Sequence, residues 1–90
     1  MAKGAKSKRQ KSSVLDLHGL RVADVADRVD QFLYKANQSG KERVVIMTGK
    51  GSGAVQKEVL RYLKLGGYPW EYETLESGQR NTGVLIVFTG

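Results

Sequence analysis

RVVIMTGKGSG, residues 43–53, joins a short apolar run to a glycine-rich turn. An apolar run without polar alternation is typical of a strand that is buried on both faces inside a parallel sheet. The residues after the turn carry apolar side chains at helical spacing, namely Val55, Val59, Tyr62 and Leu63. Two glycines and a proline end this pattern, so the stretch predicts a strand, a turn and a helix of an α/β protein.

The segments on either side extend this pattern. Upstream, residues 14–18 (VLDLH) alternate as a strand does, and residues 22–38 have the spacing of an amphipathic helix. Downstream, residues 70–75 alternate like an edge strand and lead into a polar loop at residues 77–83. Residues 84–88 (VLIVF) are the most apolar of the four strands, which predicts a position inside the sheet.

The order βαβαββ predicts an α/β fold of the two-layer (α+β) sandwich type. Crossovers between parallel strands are right-handed, so both helices fall on one face if the first three strands run parallel and in sequence. A last strand that is antiparallel and inserted between the second and third gives a mixed four-stranded sheet of order 1-2-4-3. The other face of the sheet is left comparatively open.

Composition limits the classes of protein that this chain can belong to. Ninety residues make one small domain with one core. There is no cysteine and a single histidine, His18, which excludes thiol chemistry and any metal site built on several imidazoles. No apolar run approaches the roughly 20 residues that cross a membrane. We therefore expect a cytoplasmic monomer with no membrane partner.

The net charge of +6 is unevenly distributed along the chain. Residues 1–12 hold five basic and no acidic residues, whereas the remainder holds ten basic and nine acidic ones. So polar a segment cannot bury enough apolar surface to offset the entropy lost on ordering, which predicts a disordered tail over residues 1–12 and a folded domain over residues 13–90. The tail is open to two interpretations, a solubilising expression scar or a loose arm on nucleic acid.

Three polar segments are expected to meet where the parallel strands end. They are His18 after the first strand, Thr48 and Gly49 after the second, and the loop at residues 78–83 after the third. Open α/β sheets usually bind ligands in the crevice outside this edge. The sequence therefore predicts a site there.

The glycine-rich turn suits a phosphate group at that site. Glycines 49, 51 and 53 let backbone amides approach an anion, and the next helix directs its positive end to the same place. Lys50 and Arg80 add mobile positive charge. A flexible connection that merely caps the helix is the alternative interpretation.

Two known nucleotide-binding motifs also contain a glycine-rich turn. It lacks the Gly-x-x-x-x-Gly-Lys-Ser/Thr pattern of nucleoside triphosphatases. Gly49, Gly51 and Ala54 do match a dinucleotide fingerprint, and Glu71 lies at a suitable distance to contact a ribose. The chain is nevertheless too short for two nucleotide-binding halves, which disfavours that interpretation.

Asp16 and His18 project from the same face of the first strand. A lone histidine is more often structural than catalytic. A carboxylate beside an imidazole can fix its tautomer, however, and this arrangement serves general acid–base catalysis. Because the Asp16–His18 pair is expected to face a phosphate site, a catalytic role is favoured for His18.

LDLHG at residues 15–19, followed by TGKG at residues 48–51, resembles the small MutS-related (Smr) domain family. The resemblance extends from about residue 14 to the end of the chain. It implies the two-layer fold described above, which is also that of the C-terminal domain of bacterial translation initiation factor three. It also implies nuclease activity, on DNA, on mRNA or at stalled ribosomes.

The family motifs can be carried over by position. Asp16 and His18 match the catalytic pair, and residues 49–51 match the phosphate-facing loop. Many relatives have histidine in place of Thr48 and a Gly-Gly-x-Gly turn in place of residues 79–83. The chain thus lacks a second imidazole, which implies either that His18 acts alone with Lys50 or Arg80 as the electrophile or that the activity is weak.

The site residues fall into two groups. Catalytic roles are predicted for Asp16, His18 and Lys50. Binding of nucleic acid or its phosphates is predicted for Gly19, Arg21, Thr48, Gly49, Gly51, Ser52, Gly53 and Arg80. No resident cofactor or metal ligand is assigned, and a dependence on magnesium or manganese stays open.

These residues predict an endonuclease that cleaves the phosphodiester bonds of RNA or nicks DNA, in ribosome rescue or in DNA repair and recombination. The expected partner is RNA or DNA, with the ribosome as a further candidate. Two alternatives stay open. The domain could bind nucleic acid without cleaving it, or it could dock on a ribosome or a helicase.

Overall fold

The computed structural model describes residues 13–49 and 53–90. Six elements follow one another along the chain: β1 (Ser13–Asp16), α1 (Val22–Gln38), β2 (Arg43–Met47), α2 (Ala54–Gly66), β3 (Trp70–Thr74) and β4 (Arg80–Phe88). The sheet has the order β1-β2-β4-β3. β1 runs parallel to β2, while β4 runs antiparallel to both β2 and β3, so β1, β2 and β3 end at the same edge.

One hydrophobic core lies between the sheet and the two helices. Each helix contributes the apolar side of its amphipathic pattern, and the strands contribute every second residue. The fully buried side chains are Leu17, Val25, Val29, Leu33, Val44, Ile46, Val59, Leu63, Leu85 and Val87. Both helices also contact each other, so they lie on one face of the sheet, and no helix or strand of the described residues covers the other.

These findings confirm the predicted fold class, the βαβαββ order and the sheet order 1-2-4-3. The expected folded domain at residues 13–90 contains all six elements. The expected disordered tail, residues 1–12, lies outside the described residues. Within the part of the chain that is described, no helix has the length and apolar character needed to span a bilayer.

The β3–β4 connection differs from the expected loop. Residues 80–83 belong to β4, which pairs Arg80 with Thr74 of β3, and only residues 75–79 form the turn. The register shifts between Tyr72, which faces Leu85, and the next residue of β3, which faces Asn81. Residues 82–84, called the bulge below, therefore have no partner in β3. β1 is also shorter than expected and ends before His18.

Candidate functional site

Asp16 and His18 form a side-chain pair at the end of β1. Asp16 Oδ1 accepts a hydrogen bond from the backbone N–H of His18 at 3.0 Å and lies 3.3 Å from the imidazole Nδ1. Pairing with a carboxylate selects the tautomer that carries its proton on Nδ1, which leaves the basic lone pair on Nε2. The His18 side chain is 79% exposed, so a substrate can reach it.

The carboxylate of this pair is held in its charged form. The hydrogen bond from the His18 N–H, and then the imidazole itself, lower the pKa of Asp16 below its ordinary value of 3.8. At neutral pH Asp16 is therefore an acceptor only. It can orient the imidazole and stabilise the imidazolium that forms when His18 takes a proton.

The turn after β1 presents the pair to solvent. Leu17 is fully buried, and its N–H donates to the Met47 carbonyl at 2.9 Å, which holds the strand end against β2. The N–H of Leu20 closes the turn on the Leu17 carbonyl at 3.0 Å. Gly19 has a φ of +79°, a conformation that residues with side chains rarely adopt. The buried leucine thus places its two polar neighbours together on the open face.

The pair lines a cleft on the open face of the sheet, at the edge where β1 and β2 end. The cleft has a volume of about 240 Å³. Its lining residues are Asp16, His18, Met47, Gly49, Asn81, Gly83 and Val84. Met47 and Val84 face each other across β2 and β4 and supply apolar surface beside the imidazole. The cleft therefore combines an acid–base pair with a surface suited to an apolar ring.

The end of β2 is tied to the bulge at Gly83. The Gly83 carbonyl accepts the N–H of Thr48 at 2.9 Å and the N–H of Gly49 at 3.2 Å. The amide of Gly49 is thus already engaged. Its α-carbon lies next to His18, since a Cβ at Gly49 would stand 3.9 Å from the His18 Cβ. Gly49 brings the β2 end close to the imidazole, and its phosphate contact stays a prediction.

Asn81 is a cleft residue that sequence reasoning missed. Its side-chain Oδ1 accepts the N–H of Gly83 at 3.1 Å, and its Nδ2 donates to Glu73 Oε1 at 3.1 Å. Glu73 is the residue before the last of β3, and the hairpin register pairs it with Asn81 beside the cleft. Among residues 13–49 and 53–90, no three His, Asp or Glu side chains cluster as metal ligands would.

Gln56, in the first turn of α2, was also missed. Its Nε2 donates to Thr48 Oγ1 at 3.0 Å and to the Thr82 carbonyl at 2.6 Å, and its Oε1 accepts the hydroxyl of Tyr72 at 3.3 Å. In a sequence, a polar residue at the start of a helix suggests a capping role. No local sequence pattern reveals that Gln56 contacts residues in or next to three different strands. Thr48 itself is 7% exposed, and its hydroxyl faces Gln56 on the helix side of the sheet.

Three further predicted residues, Arg21, Gly53 and Arg80, are described by the structure and are not among those that line the cleft. Arg21 is the N-cap of α1, with its guanidinium Nε 3.8 Å from a carboxylate oxygen of Asp24. Gly53 is the N-cap of α2 with a φ of +85°. Arg80 is exposed at the start of β4. Lys50, Gly51 and Ser52 lie outside the described residues, so their roles stay predictions.

Comparison with known proteins identifies the class. The Smr domain family model matches residues 15–89. In structure, the chain is similar to the Smr domain of Thermus thermophilus MutS2, with a TM-score of 0.71 and 29% identity, covering 84% of this chain and 95% of that one. The chain belongs to the Smr domain family, as the residues at 15–19 and 48–51 indicated.

Similar relatives are named Endonuclease MutS2. The protein from Symbiobacterium thermophilum is 36% identical over 78 residues, covering 87% of this chain and 10% of the relative. The protein from Clostridium botulinum (strain ATCC 19397 / Type A) is 33% identical over 79 residues, covering 88% and 10%. This chain thus spans about a tenth of the length of the relatives it matches.

Proposed function

We propose that this domain is an endonuclease that cleaves RNA at the Asp16–His18 pair. The observation that carries the proposal is the geometry of that pair. A charged carboxylate holds the imidazole by Nδ1, and the pair opens into a cleft next to the end of β2. An oriented imidazole with a free basic nitrogen is what general acid–base cleavage of a phosphodiester requires. The names of the MutS2 relatives support the same class of activity.

The proposed reaction uses the hydroxyl that RNA itself carries. His18 Nε2 takes the proton of the ribose 2′-hydroxyl, whose oxygen attacks the adjacent phosphorus and expels the 5′-oxygen of the next nucleotide. The leaving oxygen takes up a proton from water, His18 returns its proton to solvent, and the products carry a 2′,3′-cyclic phosphate and a 5′-hydroxyl. Lys50 and Arg80 are assigned to stabilise the charge that develops on the phosphate oxygens. Asp16 positions the imidazole and stabilises its charged form.

The cleft favours an unpaired nucleotide as the substrate. Met47 is 37% exposed and lies with Val84 beside the imidazole, where an apolar surface can pack against a base. Bases in a duplex are stacked on one another and cannot turn onto such a surface, whereas those of a single strand can. We therefore propose that single-stranded RNA is preferred to duplex DNA as the substrate. We also propose that the activity is cytoplasmic.

One observation favours a binding module instead. Thr48, which stands where many Smr relatives have histidine, is buried and hydrogen-bonded to Gln56, so the described part of the site holds a single imidazole. A domain that binds RNA or a ribosome without cleavage would keep the same cleft. It would differ in showing no turnover.

Cleavage of labelled substrates by the purified chain tests the proposal. Single-stranded RNA, hairpin RNA and supercoiled DNA are incubated with and without EDTA. We expect cuts in single-stranded RNA and in hairpin loops, with DNA left intact. Binding without cleavage of any substrate would support the binding module, and nicking of DNA alone would move the assignment to a DNA endonuclease.

A further inference from the structure

Gln56 connects α2 to the strands directly behind the cleft. Its side-chain amide contacts the end of β2 through Thr48 Oγ1, β4 through the Thr82 carbonyl, and β3 through the Tyr72 hydroxyl. Because a backbone carbonyl can only accept, the bond to Thr82 fixes which end of the amide is Nε2. Gln56 therefore holds three strands in one arrangement while lying on the helix side of the sheet.

The bulge explains why such a contact is needed. The register shift between β3 and β4 leaves the backbone of the bulge without β3 partners. Gly83 turns to the β2 end, where its carbonyl accepts two backbone amides. The Thr82 carbonyl instead accepts a hydrogen bond from Gln56 Nε2 at 2.6 Å. The hydrogen bond from Gln56 thus replaces an inter-strand hydrogen bond that is lost at the bulge.

The residues next to the contacts of Gln56 are those that line the cleft. Thr48 precedes Gly49, and Thr82 lies between Asn81 and Gly83, all three of which line it. In a regular helix start, a glutamine at this position reaches back to the N-cap. Here the α2 N-cap, Gly53, has no side-chain capping bond, and the amide is directed to the sheet.

We propose that Gln56 is a positioning residue for RNA cleavage: by holding the β2 end and the bulge together, it sets where Gly49 and Asn81 stand relative to His18. This inference rests on the proposed function. Gln56 contacts no reacting atom, so its loss acts through the geometry of the cleft. Misplacement by about 1 Å of groups that position a substrate is enough to lower turnover about 10²-fold.

Steady-state cleavage of single-stranded RNA by four versions of the chain tests this role. Gln56→Ala removes all three contacts. Gln56→Glu keeps the length and the acceptor for Tyr72 but loses both donated bonds, and it serves if the alanine variant does not fold. Gln38→Ala is the matched control, because it makes the same change at the end of α1, where the lost bond is to the Tyr34 hydroxyl. Thermal unfolding is recorded for each variant.

We expect kcat to fall about 10²-fold in both Gln56 variants, with KM little changed, at temperatures where they are folded. The Gln38→Ala control should retain the kcat of the unaltered chain. A kcat in either folded Gln56 variant equal to that of the control would overturn the positioning role, even if the melting temperature falls. If the unaltered chain does not cleave RNA, the proposed function itself fails, and the inference fails with it.

Discussion

Asp16 Oδ1 receives both the backbone N–H of His18, at 3.0 Å, and its imidazole Nδ1, at 3.3 Å. One carboxylate oxygen thus fixes the backbone of the turn and the orientation of the ring. The two residues are neighbours on the open face because the buried Leu17 lies between them. The proposed endonuclease function gives this carboxylate a role, whereas a surface that only binds a polyanion gains nothing from it.

Asp16→Asn distinguishes the two functions. The amide keeps an oxygen for the His18 N–H but cannot stabilise a charged imidazole, so we expect kcat for RNA to fall by about 10² or more. Affinity for RNA should be unchanged or improved, because a negative charge is lost. Single-turnover cleavage and fluorescence anisotropy measure the two effects. Unaltered cleavage would remove Asp16 from the mechanism.

We expect a second contact, between the two helices, to make the stability of the fold depend on pH in the alkaline range. The hydroxyl of Tyr62 in α2 donates to Asp30 in α1, and this bond, with partial burial, raises the pKa of Tyr62 to about 12. A phenol with a raised pKa stabilises the fold fully below the ordinary tyrosine value of about 10, and this contribution is lost as the pH rises toward 12.

Tyr62→Phe should therefore lower the free energy of unfolding by about 0.5–1 kcal/mol at neutral pH. The difference from the unaltered chain should shrink as the pH rises above about 10. Urea unfolding across this range measures it, with Tyr34→Phe on the exposed side of α1 as the control. A difference that does not change with pH would show that the bond to Asp30 contributes nothing.

The basic tail supplies the third prediction. Residues 1–12 hold five cations, and each phosphate neutralised on a single strand contributes about −0.7 to the slope of log affinity against log salt. Deleting residues 1–12 should flatten this slope by up to about 3.5 and leave kcat at saturating RNA nearly unchanged. Anisotropy titrations at several salt concentrations give the slope. An unchanged slope would identify the tail as a passive segment.

Much of the fold could be predicted because the spacing of apolar residues along the chain indicates which side chains are buried. The helix at residues 22–38 has the expected bounds, since its apolar positions, including Val25, Val29 and Leu33, are those buried against the sheet. The last strand was placed inside the sheet by its apolar content, and its pairing with both β2 and β3 confirms this.

The polar end of β4 could not be predicted in the same way. Residues 80–83 pair or turn through backbone groups at the polar start of a central strand, so no apolar face marks them as a strand. The role of Gln56 could not be predicted either, because its partners include a backbone carbonyl 26 positions away along the chain. The pairing of Glu73 with Asn81 could not be predicted either, because the register shift beside it leaves no mark on side-chain spacing.

The 2′-hydroxyl mechanism predicts which substrate resists cleavage. An RNA with a single deoxyribose at the cut site lacks the attacking oxygen and should not be cut, and unmodified RNA should yield 2′,3′-cyclic phosphate ends. Gel analysis of end-labelled products, before and after acid opening of the cyclic phosphate, reports both. Cleavage of the deoxy substrate, or activity lost in EDTA and restored by magnesium or manganese, would replace this mechanism by attack of metal-activated water.

His18→Ala tests the central claim most directly, because it removes the proposed base while leaving the buried Leu17 that fixes the turn. Cleavage of labelled single-stranded RNA, affinity for the same RNA and thermal unfolding are compared between the variant and the unaltered chain. We predict a loss of about 10²–10⁴ in kcat, a modest loss of affinity and a nearly unchanged melting temperature. Intact cleavage by the variant, or cooperative melting at a much lower temperature, would contradict the account, because His18 would then be a structural residue.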